Sequence, residues 1–512
     1  MMKPAYRCWT GVALAWLALA GTLAAQTTAI VAEAASPLAG FDDFVAGAVA
    51  DWQVPGLVIA VVKGDQVVFA GSYGVRDLAT AQPVDGRTLF AIGSTTKAFT
   101  AAALGILVDE GKLAWDEPVR SYLPEFGVGD PWVSAEIRVR DLLTHRTGLP
   151  NADLLWYGQP ATTREILHAL TGLAPATSLR SHFTYQNVMY AVAGELIATA
   201  SDMSWSDFVT QRLLAPLGMR DTVTSLAAAQ GRANVAAPHD LLAGSIVGID
   251  NASVDSVAAA GSIWSSRDDM TRWLRCLLAG GLAADGTRLL SEELVREMFT
   301  PQMLIGTDEF YPTAELTRPH WTSYGLGWFQ QDYRGMAVDF HTGSIDGMVA
   351  IAGLIRDLDL GVYVLANLDH AEVRHALMLT VFDAYIGETE TNWSTELHAF
   401  YDARQAQDQA AEEETDATRI LGTEPSLALT AYEGLYTHPV WGTISVQASG
   451  GLRLEFGERL SGPLSHWHYD SFRLDFDKPW LGHGLVTFDL GPEGRVVALD
   501  AFGSRFEHQE TE

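Results

Sequence analysis

The chain has 512 residues, more than one ordinary domain, so two or three are expected. Hydrophobic residues make up 48%, enough for a sizeable core, which excludes a wholly disordered chain. With 33 basic against 63 acidic side chains the net charge is −30, a surface that repels nucleic acid and anionic lipid; neither partner is expected.

The N-terminus reads as an export signal. Lys3 and Arg7 form a short basic region, residues 9–20 an apolar core, and no charge follows until Glu33. Thr22-Leu23-Ala24-Ala25 offers small residues for cleavage. This predicts a signal peptide over residues 1–25, a secreted or periplasmic location and no membrane contact after cleavage. An uncleaved anchor is the alternative, disfavoured because Ala, Gly and Thr make the run weakly hydrophobic. Cys8 precedes the apolar core and is not placed for lipid attachment. After cleavage Cys276 alone remains, which excludes an intrachain disulfide.

Residues 32–38 read as a short tether and 41–52 as a helix with Phe41, Phe44, Val45 and Val49 on one side. Residues 56–62 and 66–72 are β-rich runs joined by Lys63-Gly64-Asp65, a hairpin signal. A loop over 77–88 leads to Phe90-Ala91-Ile92-Gly93-Ser94-Thr95-Thr96-Lys97 and a helix over 98–112. Residues 137–143 run into Thr144-His145-Arg146-Thr147-Gly148-Leu149-Pro150, where Gly and Pro end an element. A helix over 188–199 and amphipathic helices over 208–217 and 268–278 fill the middle. β-Character returns at 324–330, 348–356 and 361–367, before a closing helix over 372–386. Strands at both ends with helices between predict an α+β domain, one antiparallel sheet built from its two termini.

Residues 405–418 are polar and acidic, part of an acidic helical linker over 389–425 that should separate two cores. Beyond it, β-runs at 442–446, 452–456, 472–476, 484–488 and 496–502 alternate with Gly, Pro and Asp turns. They predict a small all-β barrel or sandwich over 426–510.

Ser94 stands where a helix begins, and Lys97 lies one turn on, on the same face. A serine needs a base within reach to attack a carbonyl, and a lysine against apolar packing has its charged form disfavoured. Tyr185, in Phe183-Thr184-Tyr185-Gln186-Asn187, sits on a loop ahead of a helix. A phenol beside a cationic lysine is expected to lose its proton well below the usual range and to relay protons. Asn187 is a candidate to hold the lysine or a substrate amide. His341-Thr342-Gly343-Ser344 precedes the 348–356 strand, whose edge would offer backbone to substrate, with Gly343 permitting close approach. The N–H groups of Ser94 and Ser344 are candidates for an oxyanion hole. His466-Trp467-His468 makes no metal site, since two alternate residues on a strand need further ligands. Asn251-Ala252-Ser253 and Asn392-Trp393-Ser394 are glycosylation sequons that matter only in eukaryotic secretion.

Ser-x-x-Lys, Tyr-x-Asn and His-Thr-Gly together resemble the serine β-lactamase and penicillin-binding-protein superfamily. The tyrosine element and the spacing are similar to its branch of class C β-lactamases, D-Ala-D-Ala carboxypeptidases, esterases and D-aminopeptidases. Gly111-Lys112-Leu113, Leu142–Leu149, Pro216-Leu217-Gly218-Met219 and Tyr324-Gly325-Leu326-Gly327-Trp328 resemble it too. The resemblance implies a hydrolase domain over 36–388 without cofactor or metal. In it Ser94 is nucleophile, Lys97 and Tyr185 share acid–base work, and Asn187, His341, Gly343 and Ser344 position substrate. It implies a small-molecule or short-peptide substrate, with esters or D-amino-acid amides favoured, because His341 stands where β-lactamases and carboxypeptidases have a carboxylate-holding lysine. β-Lactams and D-Ala-D-Ala peptides are the alternatives, and a catalytically weak peptidoglycan-binding or assembly protein is the rival from another class. Tyr432-Glu433-Gly434-Leu435-Tyr436 and Trp441-Gly442 resemble an appended lipocalin-like barrel, which implies a role in homo-oligomer assembly or in access to the site.

Overall fold

The computed structural model describes residues 37–388 and 390–509. The expected signal peptide and most of the expected tether lie outside the described residues. Gly56–Lys63 is an almost unbroken apolar run and is buried on both faces. It pairs antiparallel with Gln66–Asp77 on one side and with Leu360–Ala366 on the other, Leu57 facing Ala366 and Val61 facing Val362. The sheet is therefore closed by strands from both ends of the domain. Its nine strands run in the order Gln82–Pro83, Gln66–Asp77, Gly56–Lys63, Leu360–Ala366, Met348–Ile355, Met336–Ile345, Phe329–Tyr333, Thr322–Tyr324, Met303–Leu304.

Alternation along the central strands sorts two cores. Val58, Val62, Leu354 and Leu365 face the helical middle, which contributes Thr96–Asp109, Asn187–Ser201 and Arg267–Leu278. Ile59, Val61, Ile351 and Val364 face Phe41–Asp51 and Val373–Ile386. Cys276 is buried in the first core.

Two β-assignments change. The expected run 324–330 is two strands, broken at Gly325–Trp328, where Gly327 has φ +82° and a Cβ would lie 3.0 Å from the Lys97 backbone. Close approach to the Lys97 helix overrides strand propensity there. His341, expected just ahead of a strand, lies inside Met336–Ile345 and faces Ala352.

The acidic segment is one helix, Trp393–Ala417. Its first turns are part of the second core: Leu397 is fully buried, Trp393 Nε1 donates to Asp383 at 2.7 Å, and Trp52 Nε1 donates to Ser394 Oγ at 3.0 Å. Eight strands from Gly434–His438 to Ser504–His508 then form a closed antiparallel barrel, sealed between the first and last. Tyr432, Tyr436, Phe472, Phe488 and Phe506 fill its interior. The two cores are not kept apart as the linker suggested. Val440 packs into the helical-side core, Leu154 and Tyr157 pack against the barrel core, and Trp441 packs against both.

Trp393→Ala removes a buried ring and leaves the Asp383 carboxylate without that donor. We expect a loss of roughly 3–5 kcal/mol in urea denaturation; a loss under about 1 kcal/mol would place this helix outside the core.

Candidate active site

The turn Gly93–Thr95 delivers Ser94 to the start of the helix Thr96–Asp109. That helix is buried along nearly its whole length, so Lys97 is held in apolar surroundings with no solvent exposure. Its Nζ donates to Ser94 Oγ at 3.0 Å, Asn187 Oδ1 at 2.8 Å and the Ala260 carbonyl at 2.9 Å. Burial pushes the Lys97 ammonium well below the usual lysine range, offset in part by the Asp153 carboxylate. Ser94, Tyr185 and Asn187 remain partly accessible, so the cleft opens on the hydroxyl while the base stays dry.

Tyr185 lies beside Lys97, whose Nζ is 4.8 Å from its ring centroid. The expected acidic phenol is not found. Burial pushes the Tyr185 hydroxyl well above its usual value, opposed mainly by Ser94. The reason is the burial of the phenol itself, which disfavours the phenolate and which the Ser94 hydroxyl only partly offsets. Tyr185 thus keeps its proton and is a candidate donor, and Lys97 is the stronger candidate base.

His341 is completely engaged by protein. Its Nδ1 donates to the Thr342 carbonyl at 2.5 Å, which fixes the tautomer, and its Nε2 accepts from Tyr324 Oη at 2.8 Å. Burial first, then Lys97, lowers its pKa to about 3. Both ring nitrogens are thus occupied within the protein, one of them by Tyr324. Gly343 is where the strand meets the turn that carries Ser94: a Cβ there would lie 1.9 Å from the Ile92 carbonyl. A Cβ on Gly93 would lie 2.6 Å from Ser344 N, and one on Gly343 would lie 3.1 Å from Ser94 N. Both amides therefore border one junction.

Sequence reasoning gave no role to Glu372, Asp153 or His145, which join Arg374 at the site. Arg374 is buried and braces the strand, its Nη1 donating to the Gly343 carbonyl at 2.7 Å, Ser344 Oγ at 2.9 Å and the Ala350 carbonyl at 3.2 Å. Glu372 holds its other edge. Asp153 accepts from Asn187 Nδ2 at 3.0 Å. His145 packs against Tyr185 with the rings tilted and centroids 4.2 Å apart, and its Nδ1 accepts from the Gln186 N–H. An Arg in a helix or an Asp in a turn has no sequence signal for such contacts; only His145 lay in a quoted motif.

The lowered His341 pKa has a sign. In the unfolded chain it binds a proton below about 6.5, which the folded state refuses until about 3. Its contribution to stability is full above pH 6.5 and is lost as pH falls through that window, by about 1.4 kcal/mol per pH unit. We expect His341→Phe to flatten urea-measured stability between pH 6 and pH 4 relative to wild type; an unchanged slope would mean the ring protonates in place.

Residues 41–383 match the family described as Beta-lactamase, and residues 418–512 match a "Domain of unknown function (DUF3471)". An Unguisins hydrolase of Aspergillus violaceofuscus is 30% identical over 453 residues, 80% of this chain and 77% of that protein. The octameric penicillin-binding protein homologue of Pyrococcus abyssi superposes with a TM-score of 0.60 at 22% identity, covering 92% of this chain and 99% of that one. A D-stereospecific amidohydrolase of a Streptomyces species superposes at 0.55 and 23% identity, covering 67% and 97%. With the family matched across most of the chain, the conclusion is direct: this protein belongs to the Beta-lactamase family of serine hydrolases.

Proposed function

We propose that the chain is an exported serine hydrolase that forms an acyl-enzyme on Ser94 and cleaves esters or D-amino-acid amides and short peptides. The observation that carries this is Lys97 Nζ at 3.0 Å from Ser94 Oγ, with the amine's charged form disfavoured by burial. Neutral Lys97 takes the Ser94 proton as Oγ attacks the substrate carbonyl. The oxyanion is met by the N–H groups of Ser94 and Ser344, which border one junction. Tyr185 gives its proton to the leaving group and recovers one from the Lys97 ammonium. Water then attacks the acyl-enzyme by the same path reversed, and Asn187 keeps Lys97 aimed throughout.

The substrate class follows from which cations are already used. A terminal carboxylate needs a charge partner, and losing one typically costs roughly 1.5–3 kcal/mol. His341 is neutral with both nitrogens bonded. Arg374 is spent on Glu372 and the strand, and Arg146 on Asp141 and the Gln302 carbonyl. Substrates without that carboxylate are therefore favoured.

A side-by-side panel tests this: a short-chain ester, a D-amino-acid amide, a chromogenic cephalosporin and a D-Ala-D-Ala peptide. We expect the first two to be turned over at least about tenfold faster than the others. A preference for cephalosporin or D-Ala-D-Ala would contradict the substrate reading and favour a β-lactamase or carboxypeptidase. Ser94→Ala should abolish turnover, and Lys97→Ala and Tyr185→Phe should each lose at least about a hundredfold; near-normal rates in either would remove that group from the mechanism.

A further inference from the structure

Asn187 is symmetric in shape but not in chemistry. Only its Oδ1 can accept from Lys97, and nothing in the amide itself prevents a flip that would aim two N–H donors at the ammonium. Asp153 removes that freedom. Its carboxylate only accepts, and its Oδ1 takes a hydrogen bond from Asn187 Nδ2 at 3.0 Å, which turns Asn187 Oδ1 toward Lys97 at 2.8 Å. Trp156 Nε1 at 2.7 Å and Asn151 Nδ2 at 3.1 Å hold the carboxylate in turn.

The loop carrying Asp153 is fastened to the barrel. Glu458 N–H donates to the Gly158 carbonyl at 2.7 Å, and Tyr157 Oη donates to Asp346 at 2.9 Å. Arg459, on a barrel turn, is buried, ion-paired with Asp346 and packed over the Tyr157 ring. Gly158 has φ +68°, and a Cβ there would lie 2.6 Å from Arg459 Cβ. Asp346 lies two residues beyond Ser344, so one barrel arginine touches the turn beside the reactive strand and the loop that orients Asn187.

We propose that Asp153 is a positioning residue that fixes Asn187 and the protonation of Lys97, and that the barrel, through Arg459, clamps the loop that holds it. This rests on Lys97 being the base for Ser94. The titratable groups acting on the Lys97 amine or facing it are Asp153 from this loop, His145 from the 144–150 segment, Tyr185 and Tyr190, and His341 from the strand. The tyrosines are pushed up and the histidines down, so all four are neutral near pH 7 and Asp153 is the charged member. A carboxylate there favours the ammonium, and its removal lets Lys97 shed its proton at lower pH.

The test uses the full chain with 13C-labelled lysine, of which there are five residues, and follows the Lys97 signal with pH. In Asp153→Asn and Asp153→Ala we expect the Lys97 titration to move down by about half a unit or more, with ester turnover lowered about ten- to a hundredfold. An unmoved titration in both folded variants overturns the role of Asp153, whatever happens to activity. For the clamp, hydrogen exchange over residues 151–159 should quicken in Arg459→Met while the barrel strands stay protected; unchanged exchange there overturns it. Neither readout needs turnover. If the wild type fails to hydrolyse any substrate, the catalytic reading falls while the positioning and clamp claims are still decided.

Discussion

An amine buried without water must either lose its charge or find full hydrogen-bond compensation, and the protein arranges both around Lys97. Three oxygens lie within hydrogen-bond distance of its Nζ, the Ser94 hydroxyl, the Asn187 amide and a backbone carbonyl of the helical layer; the ammonium can donate to all three, and the neutral amine donates to the last two and keeps its lone pair for the Ser94 O–H. The surrounding architecture supplies these acceptors from separate parts of the chain. The helix Thr96–Asp109 is sunk in the core so that its first turn is dry. Ala258–Gly261 contributes a carbonyl, and the start of Asn187–Ser201 contributes the amide. Burial therefore does two things with one arrangement: it keeps the lysine basic only weakly and it fixes where the proton of Ser94 can go.

The strand opposite is built to a comparable tolerance. Gly93 and Gly343 let two backbones meet at distances a side chain would forbid, and Arg374 pulls the Gly343 carbonyl from behind. Arg374 is stable there because Glu372 is ionised beside it, its pKa driven well down by the guanidinium and His375 against the penalty of burial. The ion pair is thus a strut under the reactive edge. The barrel adds a second strut from the side, where Arg459 ties the turn after Ser344 to the loop that carries Asp153. The appended domain and the catalytic centre share residues at their boundary rather than standing apart across a tether.

Much of this was legible in the sequence because it depends on local chemistry. The apolar runs at 56–62, 348–356 and 361–367 announced buried strands, and Ser94, Lys97, Tyr185 and Asn187 stood in motifs whose members do meet in space. What stayed hidden depends on contacts between segments far apart in the chain. The split of 324–330 follows from Gly327 pressing on the Lys97 backbone, and the membership of His341 in a strand follows from pairing with Ala352. The direction of the Tyr185 shift could not be read from adjacency to a lysine, because it turns on how deeply the phenol itself is buried. Asp153 and Arg459 lie some 300 residues apart, in a turn and a barrel loop with no motif of their own.

The central claim is that a buried, weakly basic Lys97 makes Ser94 the nucleophile. It is tested most directly by reacting the full chain with a fluorophosphonate at neutral pH and locating the adduct by mass spectrometry, in wild type and in Lys97→Met. The account predicts a single adduct on the peptide containing Ser94, formed at least about a hundredfold more slowly in the variant. An adduct on another residue, or equal labelling of the two proteins, would contradict it.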